Sequence, residues 1–238
     1  MKKIVLALLV LVTTTAFGQK KKDWSKVNLN QAGDHFMVQL STDRWAGAPD
    51  SINNRIKGFS RGLNVYLMLN KPFKTDPHWS VAFGVGIGSS NISFKKTKID
   101  LLASGGVLPF INLDSANHFK KYKLTTVFLE APIEVRYTFN PENVKKSWKI
   151  AFGAKVGTLL NAHTKGKTLQ NKSDVTLNSY TAKESKKVFF NSTRIAGTAR
   201  VGIGNFSLFG AYQFTAVLKD GAGATMHPYQ IGLCLSGL

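Results

Sequence analysis

The sequence predicts an all-β fold, an eight-stranded antiparallel transmembrane β-barrel built as an up-and-down meander. Several segments alternate large apolar residues with small or polar ones, at the period of two that is typical of strands. The connections between these segments are alternately short and long, as in transmembrane barrels. After residue 18, no apolar run reaches the roughly 20 residues that a spanning helix needs.

The amino-terminal segment has the order of a cleaved secretory signal. Lys2 and Lys3 precede an apolar run over residues 4–12, and Ala16 and Gly18 supply the small residues of a cleavage site. An uncleaved anchor is the alternative, but the apolar run is too short to cross a bilayer. We therefore expect a signal peptide over residues 1–18, a flexible periplasmic lead-in over 19–33 and the barrel over 34–238.

The clearest strand runs from Trp79 to Gly88. Every second residue is large and apolar, whereas the opposite face carries only serine, alanine and glycine. A strand of a soluble sandwich would normally turn polar residues to water, and here that face is almost bare. The pattern instead suits a narrow barrel with lipid outside and a crowded lumen inside.

The other strands complete an even number, as bacterial single-chain barrels require. Apolar residues alternate with charged ones over residues 127–139, 148–161 and 194–203. Gly204-Asn205 is a strong hairpin signal, and alternation resumes at Phe206. Pairing Ile203 with Phe206 keeps the apolar faces of both strands in phase. Weaker alternating runs cover residues 36–44, 63–69 and 229–235.

The connections assign the two ends of the barrel. Compact ones lie near residues 71–78, 140–147 and 204–205, and we place them on the periplasmic side. The others are assigned to the outer side and cover residues 46–57, 93–121, 162–187 and 219–227. Aromatic residues near strand ends are expected to form two interfacial girdles: Trp45, Trp79, Tyr122, Tyr137, Trp148 and Tyr229.

Residues 129–137 carry a motif that points to a family. They read Leu-Glu-Ala-Pro-Ile-Glu-Val-Arg-Tyr, and this apolar-Pro-apolar-x-x-Arg-Tyr stretch resembles the PorT-like outer-membrane β-barrel family of Bacteroidetes. The resemblance implies an outer-membrane protein of a Gram-negative bacterium, inserted by the barrel-insertion machinery. One member type assists protein secretion across the outer membrane, so an envelope or secretion protein is a possible partner. The resemblance assigns no functional residues.

Charged residues on the inward faces predict a filled lumen. Eight strands enclose a space just wide enough for side chains, which disfavours an open pore. Pairing Phe139 with Trp148 brings Lys155 opposite Pro132 and diagonal to two glutamates. We expect a structural charge network rather than a proton or ion path, because buried charges persist only when paired. Its predicted members are Glu130, Glu134, Arg136, Lys149, Lys155, Arg194 and Arg200.

The formal net charge of +19 indicates anionic neighbours. Lipid A phosphates are the nearest dense anions, so outer-membrane lipid and lipopolysaccharide are the preferred partners. A solvated basic face without a specific ligand is the alternative. Nucleic acid is not expected, because no nucleic-acid-binding motif accompanies the charge. The lysines expected to crown the outer rim are Lys95, Lys96, Lys98, Lys120, Lys121, Lys123, Lys165, Lys167, Lys172, Lys183, Lys186 and Lys187.

We expect a non-enzymatic protein with no cofactor and no metal. The histidines lack the close spacing of a metal site, and the single cysteine, Cys234, excludes a cysteine-based zinc site. The alternative is a lipid A acyltransferase or deacylase at the barrel rim, drawing on Asp114, Ser115 and His118. A soluble lipocalin-like carrier would need an apolar lumen, and the predicted inward faces are glycine-rich and charged.

Overall fold

The computed structural model describes residues 36–237, so the predicted signal peptide and lead-in lie outside the described residues. A short helix, α1 (Asp50–Asn53), follows the first strand, and a 3-10 turn covers Val144–Lys146. The strands are β1 (Phe36–Ala46), β2 (Arg61–Pro72), β3 (Trp79–Phe94), β4 (Thr97–Ile99), β5 (Phe110–Asn112), β6 (His118–Thr138), β7 (Trp148–Gln170), β8 (Thr176–Ser185), β9 (Thr193–Ile203), β10 (Phe206–Gln213) and β11 (His227–Ser236).

Eight of these strands close into an antiparallel barrel, in the order β1-β2-β3-β6-β7-β9-β10-β11. The first and last strands close it, with Met37 opposite Ser236. The predicted fold class is therefore confirmed. The predicted registers also hold, since Ile203 lies opposite Phe206 and Pro132 opposite Lys155. Within residues 36–237, no helix combines the length and apolar character needed to cross a membrane.

The bare face of β3 makes room for large side chains of its neighbour. Val85 and Ile87 point outward and are about half exposed, at 50% and 49%. Gly86 points inward and lies opposite Tyr66 on β2. A Cβ atom at Gly86 would come within 2.6 Å of both Cα and Cδ1 of Tyr66. The glycines of β3 therefore let lumen side chains lie against the wall.

The third outer connection is a strand hairpin, and its prediction as a loop was wrong. The chain continues β7 to Gln170, turns over residues 171–175 and returns as β8, which pairs with the outer part of β7. β6 likewise begins as far out as His118. We call the outer parts of β6 (118–127) and β7 (161–170), together with β8, the outer sheet. Most side chains on their exposed faces are polar, so these strands lack the apolar alternation that identifies strands in lipid.

A bulge in β7 shifts which residues face outward. Val127 lies opposite Asn161 while Phe128 lies opposite Leu159, so Leu160 is an extra residue. The alternation over residues 148–161 predicts that Asn161 faces the lumen, opposite to Leu160. Asn161 instead shares the outer face with His163, and the two side chains are hydrogen-bonded at 2.8 Å.

The predicted aromatic girdles are only partly correct. Trp79 and Trp148 are 42% and 54% exposed at the end of the barrel with the short turns, and Trp79 contacts Tyr137 at 4.9 Å between ring centroids. Trp45 and Tyr122, by contrast, point into the barrel and are buried. Their strands alternate so that these residues share the inward face. Tyr229 lies opposite Tyr212, toward the outer end.

A hydrophobic cluster that strand alternation does not predict fills the outer mouth of the barrel. Phe94, Ile99, Leu101 and Met226 are completely buried. We call this group the mouth cluster; it takes residues from all four outer connections and the adjoining strand ends, namely Trp45, Ile56, Ile92, Phe94, Ile99, Leu101, Leu108, Tyr122, Leu124, Phe128, Leu159, Ala162, Phe189, Phe190, Val217, Leu218, Ala222 and Met226.

Candidate functional site

Glu130 is the centre of the charged side chains inside the barrel. Its side chain is 0% exposed. Oε1 accepts a hydrogen bond from Nη1 of Arg194 at 2.8 Å, and Oε2 accepts one from Nζ of Lys155 at 3.2 Å. The hydroxyl of Tyr66 also donates to Oε2. The Arg194 guanidinium lies 3.8 Å from the ring centroid of Phe128, so the cation is held by a carboxylate and an aromatic face.

A second group of buried charges surrounds Glu134. Its Oε2 accepts hydrogen bonds from Nε of Arg136 and Nη2 of Arg200, both at 2.9 Å. Arg200 also donates to the hydroxyls of Ser207 and Ser236, at 3.3 Å and 3.1 Å. Strands β6, β9, β10 and β11 are thus joined across the lumen.

A polar bridge extends from Lys155 to β1. Nζ of Lys155 donates to Oε1 of Gln230 at 3.4 Å, and Nε2 of Gln230 donates to Oδ2 of Asp43 at 3.0 Å. Asp43 was not predicted, although the alternation of β1 places it on the buried face with Ser41. Lys149 lies opposite Thr138, near the end with the short turns, and is partly exposed.

The space between these groups and the mouth cluster is small. Two cavities there measure about 20 Å³ and about 10 Å³. Each therefore has room for about one water molecule, which needs roughly 10–15 Å³ of accessible space. The charged side chains and the mouth cluster therefore fill most of the interior in this part of the barrel.

The outward face of the outer sheet carries a dense group of lysines. Lys123 lies directly opposite Lys165, which in turn lies opposite Lys183. Lys121 and Lys167 form a further pair toward the tip. Like charges directly opposite each other on neighbouring strands are destabilising. We call these five residues the lysine cluster.

Charge in the lysine cluster is not balanced by carboxylates. Among residues 36–237, none of its five ammonium groups forms an ion pair. Burial and the nearby charges of Lys165 and Lys167 lower the pKa of Lys123. Burial lowers the pKa of His163 too, and Lys183, Lys123 and Lys165 add to this effect. Nζ of Lys123 donates to Oδ1 of Asn91 at 2.6 Å, a neutral acceptor. The site is therefore strongly electropositive.

The lysine cluster lies just beyond the apolar outer wall. Val127 and Leu160 are the last apolar residues of that wall on β6 and β7, and Thr125 and His163 follow as a pair. Lys123 is four residues beyond Val127, which is about 13 Å along a strand. Long lysine side chains can bend back toward such a boundary.

The other predicted lysines lie elsewhere. Lys95 and Lys96 are in the turn after β3, and Lys98 on β4 pairs with Glu184 at 3.8 Å. Lys120 is on β6 but outside the cluster. Lys172, Lys186 and Lys187 lie at the two ends of β8. The structure thus brings together Lys121, Lys123, Lys165, Lys167 and Lys183 and separates the rest.

The three residues considered for rim catalysis do not form a proton relay. Asp114 is held by Arg55, with a contact of 2.5 Å from Nη2 to Oδ2. This hydrogen bond lowers the pKa of Asp114 to about 2. Nε2 of His118 contacts Oδ1 of Asp174 at 2.9 Å, and Nδ1 faces the carbonyl of Ala116 at 3.2 Å. The two ring nitrogens of His118 contact Ala116 and Asp174, so neither is directed at Ser115.

Comparison with known proteins identifies the type of barrel. Residues 25–216 match a family described as outer membrane protein beta-barrel domain. This match is to a broad family and does not reach the finer PorT-like resemblance. No curated protein matches the chain.

Two solved structures of bacterial surface barrels are similar in topology. One is Ail, the attachment invasion locus protein of Yersinia pestis, in complex with the heparin analogue sucrose octasulfate; it is 12% identical, with 86% of this chain and 98% of that chain covered and a TM-score of 0.37. The other is Neisserial surface protein A, 9% identical, with 87% and 99% covered and a TM-score of 0.38.

Proposed function

The chain belongs to the outer membrane protein beta-barrel domain family, and from this premise we propose that it is a sealed, non-enzymatic barrel that binds lipid phosphates. The lipid phosphates would be those of lipopolysaccharide in the outer leaflet. The observation that carries the proposal is the row formed by Lys123, Lys165 and Lys183 across three strands.

The energetic cost of this row supports a bound anion. Opposed like charges destabilise a sheet by a few tenths to about 1 kcal/mol a pair, so the row weakens the outer sheet unless something neutralises it. Phosphate groups accept hydrogen bonds from several ammonium groups at once, and such charge-assisted bonds are strong. Lipopolysaccharide presents phosphates near the boundary of the apolar wall, and the row lies just beyond that boundary, toward which long lysine side chains can bend back.

The interior supports the absence of a pore. Glu130 and Glu134 hold four cations across the lumen, and the mouth cluster covers the outer end. Solute would have to displace buried ion pairs and then aromatic side chains. The engaged nitrogens of His118 likewise support a non-enzymatic role at the rim.

The amino-terminal segments fit delivery to the outer membrane. We propose that residues 1–18 are removed on export and that residues 19–33 remain as a periplasmic lead-in. The amino-terminal sequence of the protein purified from outer membranes should begin at Gln19. A start at Met1 would overturn this part of the proposal.

The lysine row can be tested by a stability crossover. In the neutral detergent dodecyl maltoside without phosphate, Lys165→Gln should raise the melting temperature, because it removes two like-charge contacts. With purified lipid A added, the wild-type protein should melt higher than the variant, because it keeps the bound phosphate. The matched control Lys187→Gln removes the same charge outside the cluster and should show no crossover. Equal lipid A stabilisation of wild type and Lys165→Gln would overturn the proposal.

The non-enzymatic role has a separate test. Mass spectra of lipid A from cells with and without the gene should show the same acylation. A change in acyl chains that depends on His118 would instead support the rim enzyme. Recording in planar bilayers should give no stepwise conductance, and regular open-channel steps would contradict a sealed lumen.

A further inference from the structure

A polar groove opens at the outer rim, between the first two outer connections and the outermost residues of the outer sheet. Its volume is about 650 Å³. One wall comes from α1 and the turn after it, a second from the turn after β3, and a third from the outermost residues of β6 and β7. The size lies within the range of small-molecule binding sites.

Two carboxylates are fixed in the groove by basic side chains. Both oxygens of Asp114 accept hydrogen bonds from the Arg55 guanidinium, at 2.9 Å and 2.5 Å. Asp174 is held by His118 at 2.9 Å and by Nζ of Lys96 at 3.4 Å. The side chains of Asp114 and Asp174 are nevertheless more than half exposed. Each carboxylate therefore has room to accept a further hydrogen bond from a ligand hydroxyl.

Three more lysines give the groove an excess of positive charge. Lys57 donates to the backbone carbonyl of Lys120 at 3.2 Å, so its charge is not neutralised. Lys95 and Lys120 are exposed on the opposite walls. Within the described residues, none of these three forms an ion pair. A neutral ligand would leave these ammonium groups without a counterion.

An aromatic ring completes the lining. Phe119 lies flat against Gly166 of β7, where a Cβ atom would come within 2.5 Å of the ring. The ring also packs near Tyr122 and Tyr180, at centroid distances of 6.2 Å and 5.7 Å. It is held in place and partly exposed, which suits contact with the apolar face of a sugar ring.

We propose that this groove binds a short acidic oligosaccharide. The fixed carboxylates would accept hydrogen bonds from sugar hydroxyls, the lysines would bind carboxylate or phosphate substituents, and Phe119 would contact a ring face. This inference goes beyond the proposed function and does not depend on it. The groove and the lysine cluster share no residue.

Calorimetry with the protein purified from outer membranes into dodecyl maltoside tests the groove. Oligogalacturonate serves as the acidic probe and dextran of similar length as the neutral one. Oligogalacturonate should bind and dextran should not, with affinity falling as sodium chloride increases. The triple variant Lys57→Gln, Lys95→Gln, Lys120→Gln should bind about tenfold more weakly or worse. The matched control Lys172→Gln, Lys186→Gln, Lys187→Gln removes the same charge elsewhere and should bind as the wild type does.

Two further arms separate the outcomes. The variant Lys120→Glu changes one exposed side chain, and heat-modifiable gel mobility checks that the variant folds. This single change should also weaken oligogalacturonate binding severalfold. Inorganic phosphate should not compete at the concentration of the probe, because it lacks sugar hydroxyls and a ring face. Equal loss in both triple variants, equal binding of dextran, or no binding of oligogalacturonate would overturn the proposal. Lipid A stabilisation could still hold in each of these cases.

Discussion

Arg194 on β9 reaches over β7 to Glu130 on β6, with 2.8 Å between Nη1 and Oε1. The same carboxylate binds Lys155, so Glu130→Gln would leave two buried cations without their counterion. We expect a loss of about 3–5 kcal/mol in the free energy of unfolding. Urea titration in detergent micelles, followed by tryptophan fluorescence, measures it. The control Glu142→Gln changes an exposed turn residue and should have little effect. A loss below about 1 kcal/mol would mean that the ion pairs are not needed for stability.

The glycines on the inward face of β3 lead to a steric prediction. Gly86→Ala would bring a methyl group within 2.6 Å of the backbone and ring of Tyr66. Backbone atoms cannot move aside as a flexible side chain can, so we expect a cost of about 1–3 kcal/mol. Gly105→Ala is the control, because nothing lies within 4 Å of the added methyl there. Equal unfolding curves for both variants would contradict the packing described for β3.

His163 reports on the charge of the lysine cluster. Its pKa is lowered from 6.5 by burial and by Lys183, Lys123 and Lys165. The unfolded chain therefore binds more protons, and stability should fall as the pH falls through 6.5. A titration by NMR should show the His163 ring protonating below pH 6.5, and Lys183→Gln should raise its pKa. Bound lipid A should raise it too, because phosphates favour the imidazolium. The control Lys71→Gln, on β2, should leave the His163 titration curve unchanged. A His163 pKa that changes with neither Lys183→Gln nor lipid A would contradict lipid A binding at the lysine cluster.

Asp114 and Arg55 link the first two outer connections. The pKa of Asp114 is lowered from 3.8 to about 2, mainly by its hydrogen bond to Arg55. Its stabilisation is therefore complete above pH 3.8 and is lost as the pH falls through about 2. Asp114→Asn should make the second outer connection more sensitive to protease at neutral pH. Asp220→Asn, also exposed, is the control, and equal cleavage of the two variants would exclude a role for the link.

Alternation and tight turns are sufficient to predict the barrel wall. Gly204-Asn205 fixes Ile203 opposite Phe206, and the pairing of Phe139 with Trp148 leads along β6 and β7 to Pro132 opposite Lys155. Side chains in a strand point alternately to its two faces, so one correct pair orients every other pair. For that reason, the proximity of Lys155 to a glutamate can be predicted from the sequence.

Features outside the regular wall could not be predicted in this way. The extra residue at Leu160 reverses the alternation, so Asn161, His163 and Lys165 face outward instead of toward the lumen. The lysine cluster depends on the register of β7 with β8, where no apolar pattern marks the strands. The mouth cluster collects Leu101 and Met226 from irregular segments, which have no periodicity to indicate that they meet.

The mouth cluster should hinder the assembled barrel from leaving the membrane. Its side chains come from all four outer connections, including Ile56, Leu108, Phe190 and Leu218, so they can meet only after every hairpin has crossed the bilayer. Reversing insertion would require these side chains to separate first and the polar outer sheet to pass back through hydrocarbon. The assembled barrel should therefore be held in place by a slow rate of escape, in addition to its equilibrium stability.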